Sequence, residues 1–218
     1  MGLVPNTRED STPRGAVVRT FLISDIRGYS TFTRERGDET AARLATKFAD
    51  LVRDAVEARG GRVIELRGDE ALAVFDSTPQ AVRAGLELQE ACQEATNEDS
   101  ELPLPVGIGV DCGEAIPVED GYRGLALNMA ARLCSKAAAG QVLVTAGIAE
   151  IARQVEDVAF ESLGTVELKG FDQPVELFEV PSTVVATRVL PHVSSSTVGH
   201  HRDVPTRAAH LTSILRAP

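Results

Sequence analysis

The stretch GGRVIELRGDEALAVF, residues 60–75, decides the fold. Two runs rich in aliphatic residues, Arg62–Leu66 and Ala71–Phe75, flank a short polar turn containing Asp69. That is the pattern of a β-hairpin with an acid at its tip. A second stretch, FLISDIRGYS at residues 21–30, ends another strand-like run, Val17–Ser24, in Asp25. Two carboxylates at two strand ends suit hard divalent cations, which take oxygen ligands and leave positions open for phosphate. Asp is also common in turns for purely local reasons, so the pair gains weight only from its surroundings. Gly28 permits close backbone approach, and the N–H groups of Ile26–Ser30 open a segment able to bind phosphate.

Outward from the hairpin, apolar periodicity marks the other elements. Asp38–Arg59 is a helix with Leu44, Phe48, Leu51, Val52 and Ala55 on one side, and Gly60-Gly61 ends it. Pro79 opens a second helix that runs to about Thr96. Leu104–Asp111 and Glu114–Val118 read as strands paired about a turn at Gly113. Leu125–Ala138 is helical and Gly140 stops it. Gln141–Val144 is a short strand, and Thr145 is placed to cap a helix to about Gln154. Val158–Leu168 and Pro174–Val180 supply the last strands. A βααβ unit followed by βαβ implies an α+β, ferredoxin-like (palm-like) core. Its antiparallel sheet carries helices on its faces and a C-terminal strand extension. Residues 1–15 read as a disordered lead-in and 182–218 as a disordered tail, which leaves 16–181 as the folded domain.

Composition narrows the function. Of 218 residues, 43% are hydrophobic and 25% charged, as in an ordinary globular protein. A formal net charge of −10 and the absence of tryptophan argue against nucleic acid as a partner, which needs a basic, stacking surface. No apolar run reaches membrane-spanning length, so no membrane partner is expected. Cys92, Cys112 and Cys134 lack paired spacing and read as reduced thiols, which points to the cytoplasm. All four histidines, His192, His200, His201 and His210, lie in the tail, so His-based triads and zinc motifs are excluded from the core.

A third stretch, YRGLALNMAARL at residues 122–133, carries Asn128 and Arg132 four apart on one helix face. An amide beside a guanidinium can orient a ribose and neutralise a pentavalent phosphorus. The same pair could equally form a solvated edge on an Ala-rich helix.

With this stretch in place, the chain resembles the catalytic domains of class III nucleotide cyclases, the adenylate and guanylate cyclase family. The matching segments are FLISDIRGYS, GGRVIELRGDEALAVF, VGIGVDCGEAIPVEDGYRGLALNMAARL and LKGFDQPVELFEV, in the family's order across about residues 17–180. The resemblance implies that Asp25 and Asp69, with the Ile26 carbonyl, hold two divalent metal ions, Mg²⁺ or Mn²⁺. It implies that Gly28, Tyr29 and Ser30 lie along the triphosphate and that Lys169 contacts it. Asn128 and Arg132 would be the transition-state pair. The family works as head-to-tail dimers, so a homodimer would complete two sites, each with metal acids from one protomer and Asn and Arg from the other. The implied reaction joins the ribose 3′-oxygen of GTP or ATP to the α-phosphorus and expels pyrophosphate.

Two positions depart from the adenine-reading pattern. That pattern has Lys four residues before the second metal Asp and Asp seven before the Asn; here stand Glu65 and Gly121. Guanylate cyclases also have Glu at the first position, but Cys at the second. Guanine offers donors at N1 and N2 that a carboxylate accepts, whereas adenine N1 is itself an acceptor. Glu65 therefore leans to GTP, while family frequency in bacteria leans to ATP. Gly121 has no side chain to read the base, and neighbouring Tyr122 is a candidate substitute. Arg67-Gly68-Asp69-Glu70-Ala71 is also similar to the GGDEF hairpin of diguanylate cyclases, but Arg67 and Ala71 break that motif. A cyclase-like module that binds nucleotide without turnover is the alternative function.

Overall fold

The computed structural model describes residues 15–153 and 158–182. The expected lead-in and tail, with all four histidines, lie almost wholly outside the described residues. The chain runs β1 (Val17–Ile26), α1 (Tyr29–Arg36), α2 (Asp38–Ala58), β2 (Arg62–Arg67), β3 (Glu70–Phe75), α3 (Thr78–Glu98) and β4 (Val106–Val118). It continues through β5 (Gly121–Arg123), α4 (Leu125–Lys136), β6 (Val142–Thr145), α5 (Ala146–Ala152), β7 (Glu161–Val166) and β8 (Val175–Glu179). The sheet order is β2-β3-β1-β4-β6-β8-β7, with β5 paired to β4. Every pairing is antiparallel except β4 with β6. This is the α+β, palm-like architecture that the sequence predicts.

Strand β1 is central and buried on both faces, which explains its unbroken apolar run. Successive residues point to opposite sides. Leu22 and Ile26 join Phe48, Val52, Leu88 and Ile108 in the main core, which α2 and α3 cover. Phe21 and Ile23 join Val74, Ala115, Ala126 and Ala130 in a second core, beneath α4. Among the described residues, no helix is long and apolar enough to cross a membrane.

Three local predictions need correction. Gly113 does not make a turn: β4 continues for 13 residues and pairs with β1 from Val17↔Ala115 to Ile26↔Val106. The missing side chain serves packing instead, since a Cβ at Gly113 would stand 3.2 Å from the Ala126 Cβ of α4. The true reversal comes later, where the end of β4 pairs with β5. Helix α1 goes unpredicted because none of its residues is fully buried, so no apolar stripe marks it. Thr145 precedes α5 but makes no side-chain cap. Its hydroxyl instead donates to Asp111 Oδ1 at 2.6 Å, joining β6 to β4.

That bond leaves a titratable group inside the fold. Burial pushes the Asp111 carboxyl up to about 6, against the opposing pull of the Thr145 hydroxyl and the Cys112 N–H. In the unfolded chain it titrates near ~3.9. The folded state therefore holds its proton more tightly, and stability falls as pH rises through the window from about 4 to about 6. The full penalty, about 3 kcal/mol, is present above that window. Asp111→Asn keeps an acceptor for Thr145 and cannot ionise. Urea unfolding should show it more stable than wild type by about 1–3 kcal/mol at pH 8, with the gain gone at pH 4.

Candidate active site

Asp25 stands near the end of β1, directly across the ladder from Glu70, the first residue of β3. The Ile26 N–H donates to the Asp69 carbonyl at 2.9 Å, which ties the hairpin turn to that strand end. Gly68 precedes Asp69 with φ 62°, a left-handed conformation that glycine adopts without a Cβ penalty. Asp25 and Asp69 are both half-buried. Burial raises the Asp25 carboxyl above the usual carboxylate range; the adjacent Arg27 guanidinium lowers it, and the charges of Asp69 and Glu70 raise it again. A cation placed between the aspartates would relieve that repulsion.

The donor set fits Mg²⁺ or Mn²⁺ carried with a nucleotide. Among the described residues, no group of three or more His, Cys, Asp or Glu side chains could hold a metal ion. Two carboxylates, with the remaining ligands from carbonyl, water and phosphate oxygens, is the usual composition for such a cation.

The segment after Asp25 is narrower as a phosphate site than its sequence suggests. The Ile26 N–H is used on Asp69, and the Arg27 N–H donates to the Pro105 carbonyl at 2.8 Å. Gly28 is left-handed at φ 77° and starts α1, so the N–H groups of Gly28, Tyr29 and Ser30 stand at the helix N-terminus. The Tyr29 hydroxyl donates to the Ala41 carbonyl at 3.1 Å and its ring packs on the main core. Its side chain is therefore turned away from any ligand at this helix end. Ser30 is exposed.

Asn128 and Arg132 are exposed on α4, whose other face buries Met129, Ala130, Leu133 and Cys134. Neither side chain hydrogen-bonds or ion-pairs with another described residue. Lys169 is likewise exposed, in the β7–β8 connection. These three polar groups lie on the surface of the chain.

Gly121 lies beside the strand that carries Glu65. A Cβ at Gly121 would lie 3.2 Å from Ile64 Cγ2, which sets β5 beside the strand of Glu65. The Glu65 carboxylate is ion-paired with Arg67, two residues along β2. Tyr122 does not replace the missing side chain. Its ring packs edge-on against Phe21 at a centroid distance of 5.6 Å, and its hydroxyl accepts from Arg62 at 3.3 Å.

Sequence reasoning missed Arg27, Glu70 and Arg67. Arg27 and Glu70 each adjoin or nearly adjoin a nominated acid, and Arg67 lies two residues from Glu65. That nearness was the only available signal. Their partners are fixed by strand register and, for Arg27, by residues more than a hundred positions away.

The family profile described as "Adenylate and Guanylate cyclase catalytic domain" matches residues 14–181. An uncharacterized protein of Mycobacterium tuberculosis is 31% identical over 157 residues, covering 72% of this chain and 39% of the relative. Putative adenylate cyclase 3 of Rhizobium meliloti is 28% identical over 159 residues, covering 72% and 27%. The chain thus spans about two-fifths or less of the length of these relatives. The solved guanylyl cyclase Cya2 matches with a TM-score of 0.70 at 27% identity, covering 77% of this chain and 93% of that one. The adenylyl cyclase CyaB from P. aeruginosa matches at 0.67 and 22% identity, covering 76% and 94%, a likeness of fold. With more than three-quarters of its length matched by the family profile and its sheet shared with solved cyclases, the chain belongs to the adenylate and guanylate cyclase catalytic domain family.

Proposed function

We propose that the protein is a nucleotide cyclase that converts GTP or ATP to the 3′,5′-cyclic monophosphate and pyrophosphate, in sites shared by a homodimer. One observation carries this reading. Asp25 and Asp69 converge at one end of the sheet, while Asn128, Arg132 and Lys169 are exposed and bond to no side-chain partner among the described residues. A second copy placed head to tail would bring the two sets together. Exposed Val18, Ile116, Val118 and Leu125, on β1, β4 and the start of α4, give such a copy an apolar surface to cover.

In the shared site, Asp25 and Asp69 would hold two divalent cations, with the Ile26 carbonyl assisting. Bound there, the cations would lower the pKa of the 3′-hydroxyl and spread charge at phosphorus. Backbone N–H groups of Gly28–Ser30 would cradle the triphosphate and Lys169 would pair with it. Asn128 would orient the ribose so that its 3′-oxygen lies in line with the α-phosphorus, which is catalysis by proximity. The 3′-oxygen bonds to the α-phosphorus, the bond to the bridging oxygen breaks, and the hydroxyl proton leaves to solvent. Arg132 would donate to the phosphoryl oxygens as negative charge grows, and so favour the transition state over the substrate.

Glu65 sets the base preference toward guanine. Its carboxylate accepts from guanine N1–H and N2–H, and meets adenine N1 acceptor to acceptor. GTP turnover should therefore exceed ATP turnover with either Mg²⁺ or Mn²⁺. Glu65→Lys should reverse that order. Cyclic nucleotide formation from each substrate measures it, and faster ATP turnover by wild type sinks this part of the proposal.

The second reading, a nucleotide-binding module without turnover, draws on Gly121, which has no side chain, and on Arg67, which already occupies Glu65. Pyrophosphate release decides between the two. Wild type and Asp25→Ala equally silent with both nucleotides and both metals would leave only the binding module.

A further inference from the structure

Arg27 lies beside the candidate metal acids, and the proposed mechanism gives it no task. Its guanidinium uses every side. Nη1 donates to Asp25 Oδ2, Nη2 to the Cys134 carbonyl, and Nε to the Ala137 carbonyl at 3.0 Å. Nη2 also lies 3.6 Å from Cys134 Sγ. Cys134 and Ala137 sit at the C-terminal end of α4, where the Cys134 carbonyl accepts from the Ala137 N–H at 3.1 Å and has a second lone pair for Arg27. The Arg27 backbone is pinned as well, by its N–H on Pro105. Space for the guanidinium is built into β4, because a Cβ at Gly107 would strike it.

These contacts divide into two kinds. The α4 carbonyls and Pro105 anchor Arg27 without Asp25. Asp25 is therefore the partner that can leave while the arginine stays. A divalent cation bound through Asp25 Oδ2 and the Nη1 of Arg27 would compete for one oxygen. Arg27 also places a positive charge beside Asp25, which opposes any incoming cation.

We propose that Arg27 is a positioning residue that holds Asp25 in place before metal binding, yields it to the divalent cation, and remains as the C-terminal cap of the helix that carries Asn128 and Arg132. The proposal rests on the cyclase reading, since it takes Asp25 as a metal ligand. Its consequence is unusual in sign: removing a well-bonded residue should tighten metal binding. A purely structural arginine would do the opposite, because a loosened Asp25 binds more weakly.

The test is Mn²⁺ binding to the full chain without nucleotide, followed by the electron paramagnetic resonance signal of free Mn²⁺. Asp25→Ala is the blank. Arg27→Gln keeps amide donors for the α4 carbonyls and removes the charge; it should bind Mn²⁺ about tenfold more tightly than wild type. Arg27→Lys keeps the charge without the planar fork, and should bind Mn²⁺ like wild type while turning over more slowly at unchanged KM. Thermal unfolding confirms that each variant is folded; should Arg27→Gln not fold, Arg27→Met carries the same Mn²⁺ expectation. Wild-type binding that neither neutral variant tightens overturns the role of Arg27 and leaves the cyclase reading standing. Wild type that binds no more Mn²⁺ than Asp25→Ala also overturns the role of Arg27, while pyrophosphate release with nucleotide present decides the cyclase reading separately.

Discussion

Asp25→Ala is expected to lower kcat for cyclisation by at least about 10³, with the fold intact. The side chain is half-buried at a strand end and contributes nothing to either apolar core, so its loss leaves the sheet in register. Its removal takes away one of the two carboxylates available to a cation here, and Asp69 alone cannot fix the second ion. Excess Mn²⁺ should recover little of the loss, because the missing element is a ligand and not occupancy. Turnover measured across a metal titration, beside thermal unfolding of the same samples, provides the check. A variant within about tenfold of wild type at saturating Mn²⁺ would remove Asp25 from the metal site.

Arg132→Ala should cost about 10³ in kcat with KM little changed, since a guanidinium aimed at a phosphoryl group acts mainly as charge develops. Arg132 is exposed and its side chain makes no bond to another described residue, so stability should hardly move. The more telling result comes from mixing. Asp25→Ala and Arg132→Ala are each expected to be inactive. A heterodimer of the two has one site with both defects and one with neither. After proven subunit exchange, random mixing at equal amounts should restore about a quarter of wild-type activity, through half the dimers having one good site of two. No recovery would place all the catalytic groups within one subunit, against the outward direction of Asn128 and Arg132 in the structure.

Much of this was legible in the residues themselves. The hairpin around Asp69 has a strand pattern on either side of a glycine turn, and local propensity and tertiary position agree there. Helices α2 and α3 carry long apolar faces, and their ends were read nearly to the residue. The errors share a cause. Gly113 has the same chemistry in a turn as under a closely packed helix, and only the approach of Ala126 distinguishes the two. Thr145 has the hydroxyl of a cap but spends it on Asp111, a partner 34 residues away. Nothing local shows that Tyr29 bonds to the Ala41 carbonyl or that Tyr122 contacts Phe21 and Arg62.

The sequence by itself determined the fold class and the cyclase family, and nominated the four polar residues Asp25, Asp69, Asn128 and Arg132, because turn chemistry, apolar periodicity and motif spacing are local properties of the chain. Only the tertiary structure decided which of those groups are free. Strand register put Glu70 opposite Asp25, and the packing of α4 on β4 brought its terminal carbonyls onto Arg27. The hydrogen-bonding capacity of a side chain is written in its residue type. Whether that capacity is already spent depends on partners that folding alone brings within about 3 Å.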